Sequence, residues 1–193
     1  MAPNSKRGDP VNTLAIAMSA RPDAKKDHFY PTPPAGTRAL LAVERFDGPI
    51  WEPACGEGHM SRELEAAGYE VISTDLVDRG YGTSRVDFLM ESRPLAPNIM
   101  TNPPFKLGEK FARHALGLTT GKVALLCRLM WLEGRERRRM FEDSPLARVW
   151  VFSRRLGMRA NTVADKGGMV PYAWFVFEHG HKGPPALGWV DPA

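Results

Sequence analysis

The chain has 193 residues, 43% apolar and 25% charged, the proportions of one folded domain rather than of a disordered or fibrous chain. Two cysteines and five histidines without zinc-like spacing exclude a disulfide framework and a metal-ligand cluster, so no metal is expected and a reducing, cytoplasmic setting is. The net charge of +4 is compatible with a polyanionic partner, and no apolar run approaches the ~18 residues of a membrane span, so no membrane partner is expected.

Residues 1–27 read as a mobile arm. Their stretch Leu14 to Ala20 faintly imitates a signal peptide with its cleavage site, but Asp9, Pro10 and Asn12 interrupt the basic-then-apolar layout that secretion needs. The proline-rich stretch 28–34 resists helix formation. Leu40, Leu41, Val43 and Phe46 then predict a short amphipathic helix over 35–46. Strands and helices alternate from there. A strand over 50–53 runs into a glycine-containing turn. A helix over 60–67 ends at Gly68, and a second strand spans 70–75. A short strand or turn is expected over 85–90, a strand over 98–101, a helix over 109–118 and a fully buried strand over 122–130. A basic helix over 132–141 precedes two late strands, 148–153 and 172–178, separated by a long loop. Residues 183–193 look irregular.

This alternation predicts an α/β fold with a doubly wound, mostly parallel sheet. The last two strands have no helix between them and are expected to pair as an antiparallel C-terminal hairpin.

Glu52-Pro53-Ala54-Cys55-Gly56-Glu57-Gly58 joins a strand to a helix. Glycines there allow a sharp turn and the close approach of a ligand to the positive end of the helix. Ser61 stands where the third glycine of a dinucleotide fingerprint would fall, which argues against NAD. Glu52 suits a ligand bearing a sulfonium or ammonium, and Asp75, nineteen residues after Gly56, can accept two ribose hydroxyls. The set resembles the cofactor motifs of class I S-adenosylmethionine-dependent methyltransferases.

Asn102-Pro103-Pro104-Phe105 is the most specific signal. Its prolines fix an extended backbone after an apolar strand. The Asn102 side-chain carbonyl and a main-chain carbonyl, that of Pro103, can then grip the hydrogens of one exocyclic amine. That grip favours a tetrahedral nitrogen and frees its lone pair for attack. Phe105 offers a face for an extruded base. In isolation the tetrapeptide would equally be a tight turn with Phe105 filling the core. Its place at a strand's C-terminal end, about 45 residues after the glycine turn, favours chemistry.

In order, 30–33, 52–58, Asp75, Asp87-Phe88 and 102–105 resemble amino-group DNA methyltransferases, adenine-specific ones above all, and most of all the small phage- and plasmid-type enzymes. That resemblance implies a Rossmann-like methyltransferase domain over 28–182 with S-adenosylmethionine as cofactor. It places Phe29, Tyr30, Pro31 and Thr32 at the methionine end, with Glu52, Ala54, Gly56 and Gly58 in the glycine turn. Asp75 and Leu76 fall at the ribose, Asp87 and Phe88 at the adenine, and Asn102 at the transferred methyl. The implied reaction is methylation of the exocyclic amino group of adenine in DNA, with the base flipped or single-stranded. RNA amino-methyltransferases and protein glutamine methyltransferases open the motif with asparagine too, and a non-catalytic nucleic-acid-binding module is a further alternative.

Arg135 and Arg138 in the basic helix, with Arg154, Arg155 and Arg159 after it, read as phosphate contacts, and Arg135 to Arg139 also as a solvated face. The polar loop 157–171, with Asn161 and Lys166, reads as a further substrate contact. Only 88 residues follow Phe105, and most complete the sheet. Recognition of sequence is therefore relaxed, confined to that loop, or supplied by a partner.

Overall fold

The computed structural model describes residues 29–159, 162–163 and 168–192, Arg159, Thr162 and Val163 by their backbone alone. The arm expected over 1–27, Asn161 and Lys166 lie outside the described residues, as does the side chain of Arg159.

Ten strands and four α-helices are described: α1 (Pro34–Leu41), β1 (Ile50–Glu52), α2 (His59–Ala66), β2 (Val71–Asp75), β3 (Thr83–Ser84), β4 (Asn98–Thr101), α3 (Gly108–Leu118), β5 (Lys122–Arg128), α4 (Arg135–Glu142), β6 (Leu146–Phe152), β7 (Met158–Arg159), β8 (Thr162–Val163), β9 (Tyr172–Glu178) and β10 (Ala186–Val190). Eight of the strands form one sheet in the order β10-β6-β9-β5-β4-β1-β2-β3, while β7 and β8 pair separately. Only β9 runs against its sheet neighbours, pairing antiparallel with both β5 and β6. The expected antiparallel pair of late strands is therefore present, and the second of them is inserted into the middle of the sheet's far half.

The chain begins the sheet at β1, builds outward through β2 and β3, then returns to lay β4 on the other side of β1. The direction of winding reverses between β1 and β4. In such sheets a crevice opens beyond the carboxyl ends of the two strands flanking that reversal. The glycine turn leaves β1 there, and Asn102 leaves β4.

Both faces are covered. Val123, Leu125 and Cys127 of β5 face one layer with Trp51, Ile99, Phe111, Phe175 and Phe177, while Ala124 and Leu126 face Leu40, Ile50, Met60, Leu64 and Trp174. This two-sided burial is why β5 reads as an unbroken apolar run. The buried tryptophans keep their N–H groups satisfied: Trp51 donates to Thr74 Oγ1 at 2.9 Å and Trp174 to the Gly36 carbonyl at 2.9 Å. At the opposite end from the crevice, buried Glu44 is held by Lys122 (3.1 Å), Arg148 and Trp150 Nε1 (2.9 Å).

The tail expected to be irregular contains a strand instead. Residues 186–190 pair in parallel with β6, Ala186 opposite Arg148 through Val190 opposite Phe152. The basic helix begins later than its sequence pattern predicts, because Leu129–Leu132 form a 3-10 turn before it. No helix among the described residues is long and apolar enough to cross a membrane.

Candidate active site

The turn after β1 is shaped by two left-handed glycines, Gly56 at φ 57° and Gly58 at φ 78°. Such backbone is costly for residues with a Cβ. Each also admits a ring of this chain. A Cβ on Gly56 would lie 2.3 Å from Phe29 Cε2, and one on Gly58 would lie 2.5 Å from the Tyr81 ring. The close approach expected of a ligand at these two glycines is thus made by Phe29 and Tyr81, and neither glycine lines the neighbouring cavity. Arg79 lies 4.3 Å over the Phe29 ring.

Asp75 closes β2 and ties the two strand ends together. Its Oδ2 accepts the Gly56 N–H at 2.8 Å and its Oδ1 the Val77 N–H at 2.8 Å. A carboxylate oxygen has a second lone pair, so both remain able to accept from a ligand. Glu52, 2% exposed, accepts a hydrogen bond from Ser61, whose hydroxyl lies 2.6 Å from that of Ser73. Burial pushes the Glu52 carboxyl up to about 8, against the pull of the Ser61 hydrogen bond. A cation beside it would restore its charge.

On the far wall, Asp87 caps the 3-10 turn Phe88–Met90 by accepting the Leu89 N–H at 3.0 Å. Phe88 is 2% exposed, wedged against Trp51, Phe111 and His114. Across from it stands Asn102. Its Nδ2 donates to the Tyr30 carbonyl at 2.9 Å, which fixes the amide plane, while Oδ1 is buried and accepts nothing. Pro104 then starts a 3-10 turn, Phe105–Leu107.

These groups enclose a cavity of about 440 Å³, within the ~300–1,000 Å³ range of small-molecule sites. Phe29, Tyr30, Pro31, Thr32, Glu52, Ala54, Asp75, Leu76, Asp87, Phe88 and 102–105 all line it. It is thus an apolar chamber with a few carboxylates and one unanswered amide oxygen.

The arginines read as phosphate contacts stand elsewhere. Arg135 and Arg138 line a separate groove with Leu132, Phe141, Pro184 and Pro185. Arg138 pairs with Glu142 at 2.7 Å and Arg154 with Asp191 at 2.8 Å, and Arg155 is exposed. None of these four lines the cavity.

No protein-family model matches the chain, and no curated protein matches it in sequence. Solved structures do match. The modification subunit of a putative type I restriction enzyme from Vibrio vulnificus YJ016 superposes with a TM-score of 0.57 at 13% identity over 92% of this chain, which spans about half (49%) of that subunit. A putative RNA methyltransferase from Pyrococcus horikoshii gives 0.56 at 18% identity, over 86% of this chain and 96% of its own. Magnesium protoporphyrin IX methyltransferase from Synechocystis PCC 6803, solved with bound S-adenosylmethionine, gives 0.52 at 12% over 90% and 87%. The fold is the class I methyltransferase fold.

Within that methyltransferase fold, several lining or neighbouring residues escaped the sequence reading: His59, Arg79, Tyr81, Lys106 and Arg128. Arg128 carried a legible signal, a lone charge closing an apolar strand at the same sheet edge as Asn102. Its guanidinium lies 4.2 Å over the Phe105 ring, which also meets Tyr30 at 4.7 Å and Tyr172 at 6.0 Å. Tyr81 carried none, since only the folded turn brings it to Gly58.

Proposed function

We propose that this chain is an S-adenosylmethionine-dependent methyltransferase acting on the exocyclic amino group of adenine in DNA. The observation that carries the reading is Asn102: an amide pinned by its nitrogen, its oxygen buried, unpaired and beside the cavity. A buried acceptor without a donor is costly, and such groups mark places where a ligand completes the set. A planar amine offers the missing hydrogen.

The cavity's donor set fits the cofactor. Glu52 suits a cationic amino-acid end, Asp75 a ribose, and the Asp87–Phe88 wall an adenine. When bound, S-adenosylmethionine supplies an electrophilic methyl. The chain supplies position. Asn102 Oδ1 accepts from the amine, withdraws its nitrogen from conjugation with the ring, and aims the lone pair; the proline pair keeps that oxygen from relaxing away. No strong base is required of the site.

The same chemistry on RNA is the second reading. It is favoured by the likeness to the putative RNA methyltransferase of Pyrococcus horikoshii, which this chain matches over nearly all of that protein. The likeness to a restriction-system modification subunit favours DNA. Incubation with labelled S-adenosylmethionine and mixed DNA and RNA, followed by mass spectrometry of the nucleosides, decides between them. N6-methyldeoxyadenosine is expected. Label in ribonucleosides alone would move the reading to RNA, and label in neither would end it.

A further inference from the structure

Resting on that reading of the site, we propose that Arg128 is a substrate-binding residue that takes a backbone phosphate of the strand being methylated. Arg128 closes β5 at the crevice end of the sheet, opposite Tyr172 in the β5–β9 pairing. It is half-buried, and no carboxylate lies within ion-pair distance of it among the described residues. The other half-buried cations of the strands are treated differently. Lys122 and Arg148, at the opposite end, share Glu44 and Glu178. Arg128 instead lays its guanidinium on Phe105, and its Nε is buried with no acceptor.

An arginine in this state lacks an anion. Its charge meets only a ring quadrupole and the neutral Tyr172 hydroxyl, and its Nε donor goes unanswered. Guanidinium is weakly hydrated and planar, with a fork of donors matched to phosphate oxygens, so the missing partner is best read as a phosphate group. The position agrees, because Arg128 touches the aromatic residue that directly follows Asn102-Pro103-Pro104. A nucleotide whose base reaches Asn102 brings its own phosphodiester to this rim. The unpaired charge also separates Arg128 from Arg138 and Arg154, which already have acidic partners. An exposed arginine pairs with any passing phosphate, whereas one fixed on Phe105 registers the strand relative to the amine acceptor.

The test is a binding measurement that needs no turnover. Fluorescence anisotropy of a labelled adenine-containing single-stranded oligodeoxynucleotide is followed from low to high salt for wild type, Arg128→Ala, Arg128→Gln and Arg128→Lys. Thermal melting and calorimetry with S-adenosylmethionine serve as controls for folding. Loss of one phosphate contact lowers the slope of log affinity against log salt by about 0.7 on a single strand. The Ala and Gln variants are expected to show that drop and to bind ~10-fold or more weakly at low salt, with cofactor affinity unchanged. Lys is expected to restore the slope, and Gln, which keeps much of the stem and two donors without the charge, guards against a folding defect in Ala. An unchanged slope in both Ala and Gln would overturn the proposal and leave Arg128 as a brace for Phe105. Nucleic-acid binding with the expected slopes but no methyl transfer by wild type would keep the phosphate contact and remove the adenine reading. Absence of salt-dependent binding in wild type would remove both.

Discussion

Asn102 is held by one end of its amide and left unanswered at the other, and this asymmetry separates a reacting residue from a turn residue. Substituting Asn102 by Ala removes the acceptor while leaving Glu52, Asp75 and Asp87 in place. Methyl transfer is expected to fall by ~100-fold or more, on the scale of losing one preorganised hydrogen bond at a transition state. Calorimetry should find cofactor affinity nearly unchanged, and equal loss of both would reassign the residue to the cofactor. Glu52 makes a different prediction. Its carboxyl, raised by burial to about 8, is favoured as the neutral acid in the free protein. It therefore contributes stability that is full below the ordinary carboxyl value of 4.5 and lost as pH rises toward 8. A cationic ligand needs the ionised form. Affinity for S-adenosylmethionine should accordingly climb with pH up to about 8, by at most about tenfold per unit for one linked proton, then level off. Glu52→Gln should flatten that climb, and a pH-independent wild type would remove Glu52 from the cationic end. Asn102, Glu52 and Asp75 were legible in the sequence because each sits at a fixed step from a strand end. Phe29 against Gly56 and Tyr81 against Gly58 were not, because those contacts exist only once the turn is folded.

Among the elements, the long apolar strands declared themselves. Residues 98–101 and 172–178 were expected with the bounds they have, since each centres on consecutive apolar residues that burial on both faces demands. The strand over 186–190 was missed for a physical reason. Two prolines precede it, and Gly188 sits at its centre, both ordinary signs of loop. The glycine is there to fit a neighbour: a Cβ at position 188 would come 2.2 Å from the Trp150 ring. Gly188→Val, which on propensity alone favours a strand, is therefore expected to destabilise the protein by ~1–3 kcal/mol. Denaturant unfolding decides it, and a stabilised variant would show that Trp150 swings aside freely. The basic helix carried two readings in the sequence, a solvated face and a set of phosphate contacts. Arg138 and Arg139 meet Glu142 and Glu136 along the same helix. Paired charges at i,i+3 and i,i+4 spacing support the helix itself.

At the scale of the whole molecule, one end of the sheet carries the cavity and the other carries a charged rivet. Glu44, 3% exposed, follows α1 and gathers Lys122 of β5, Arg148 and Trp150 of β6, and through Arg148 reaches Glu178 of β9. Burial opposes its charge, but hydrogen bonds from Arg148, Trp150 and Lys122 outweigh that and hold the carboxyl below its ordinary value of 4.5. The rivet is thus intact above that value and is lost as acid titrates Glu44 below it. Glu44→Ala leaves a half-buried arginine and lysine short of their acid, and a loss of ~3 kcal/mol is expected at neutral pH. Thermal melts should show that the deficit shrinks as pH falls below the ordinary value of 4.5 and wild type surrenders the same interaction. Composition and patterning announced the doubly wound sheet, but the partners of Glu44 lie up to 106 positions away in the chain, beyond any local signal.

The insertion of β9 between β5 and β6 has a consequence for biogenesis. A nascent chain emerging from the ribosome can lay down β1 to β5 in order, but β6 must wait unpaired for a strand made after it. Half of the sheet therefore closes only when residues 172–178 are free of the exit tunnel, and such late, non-local pairing slows folding. Until that moment two apolar strand edges stand open to other unfinished chains, which makes this the interval in which a chaperone has the most to protect.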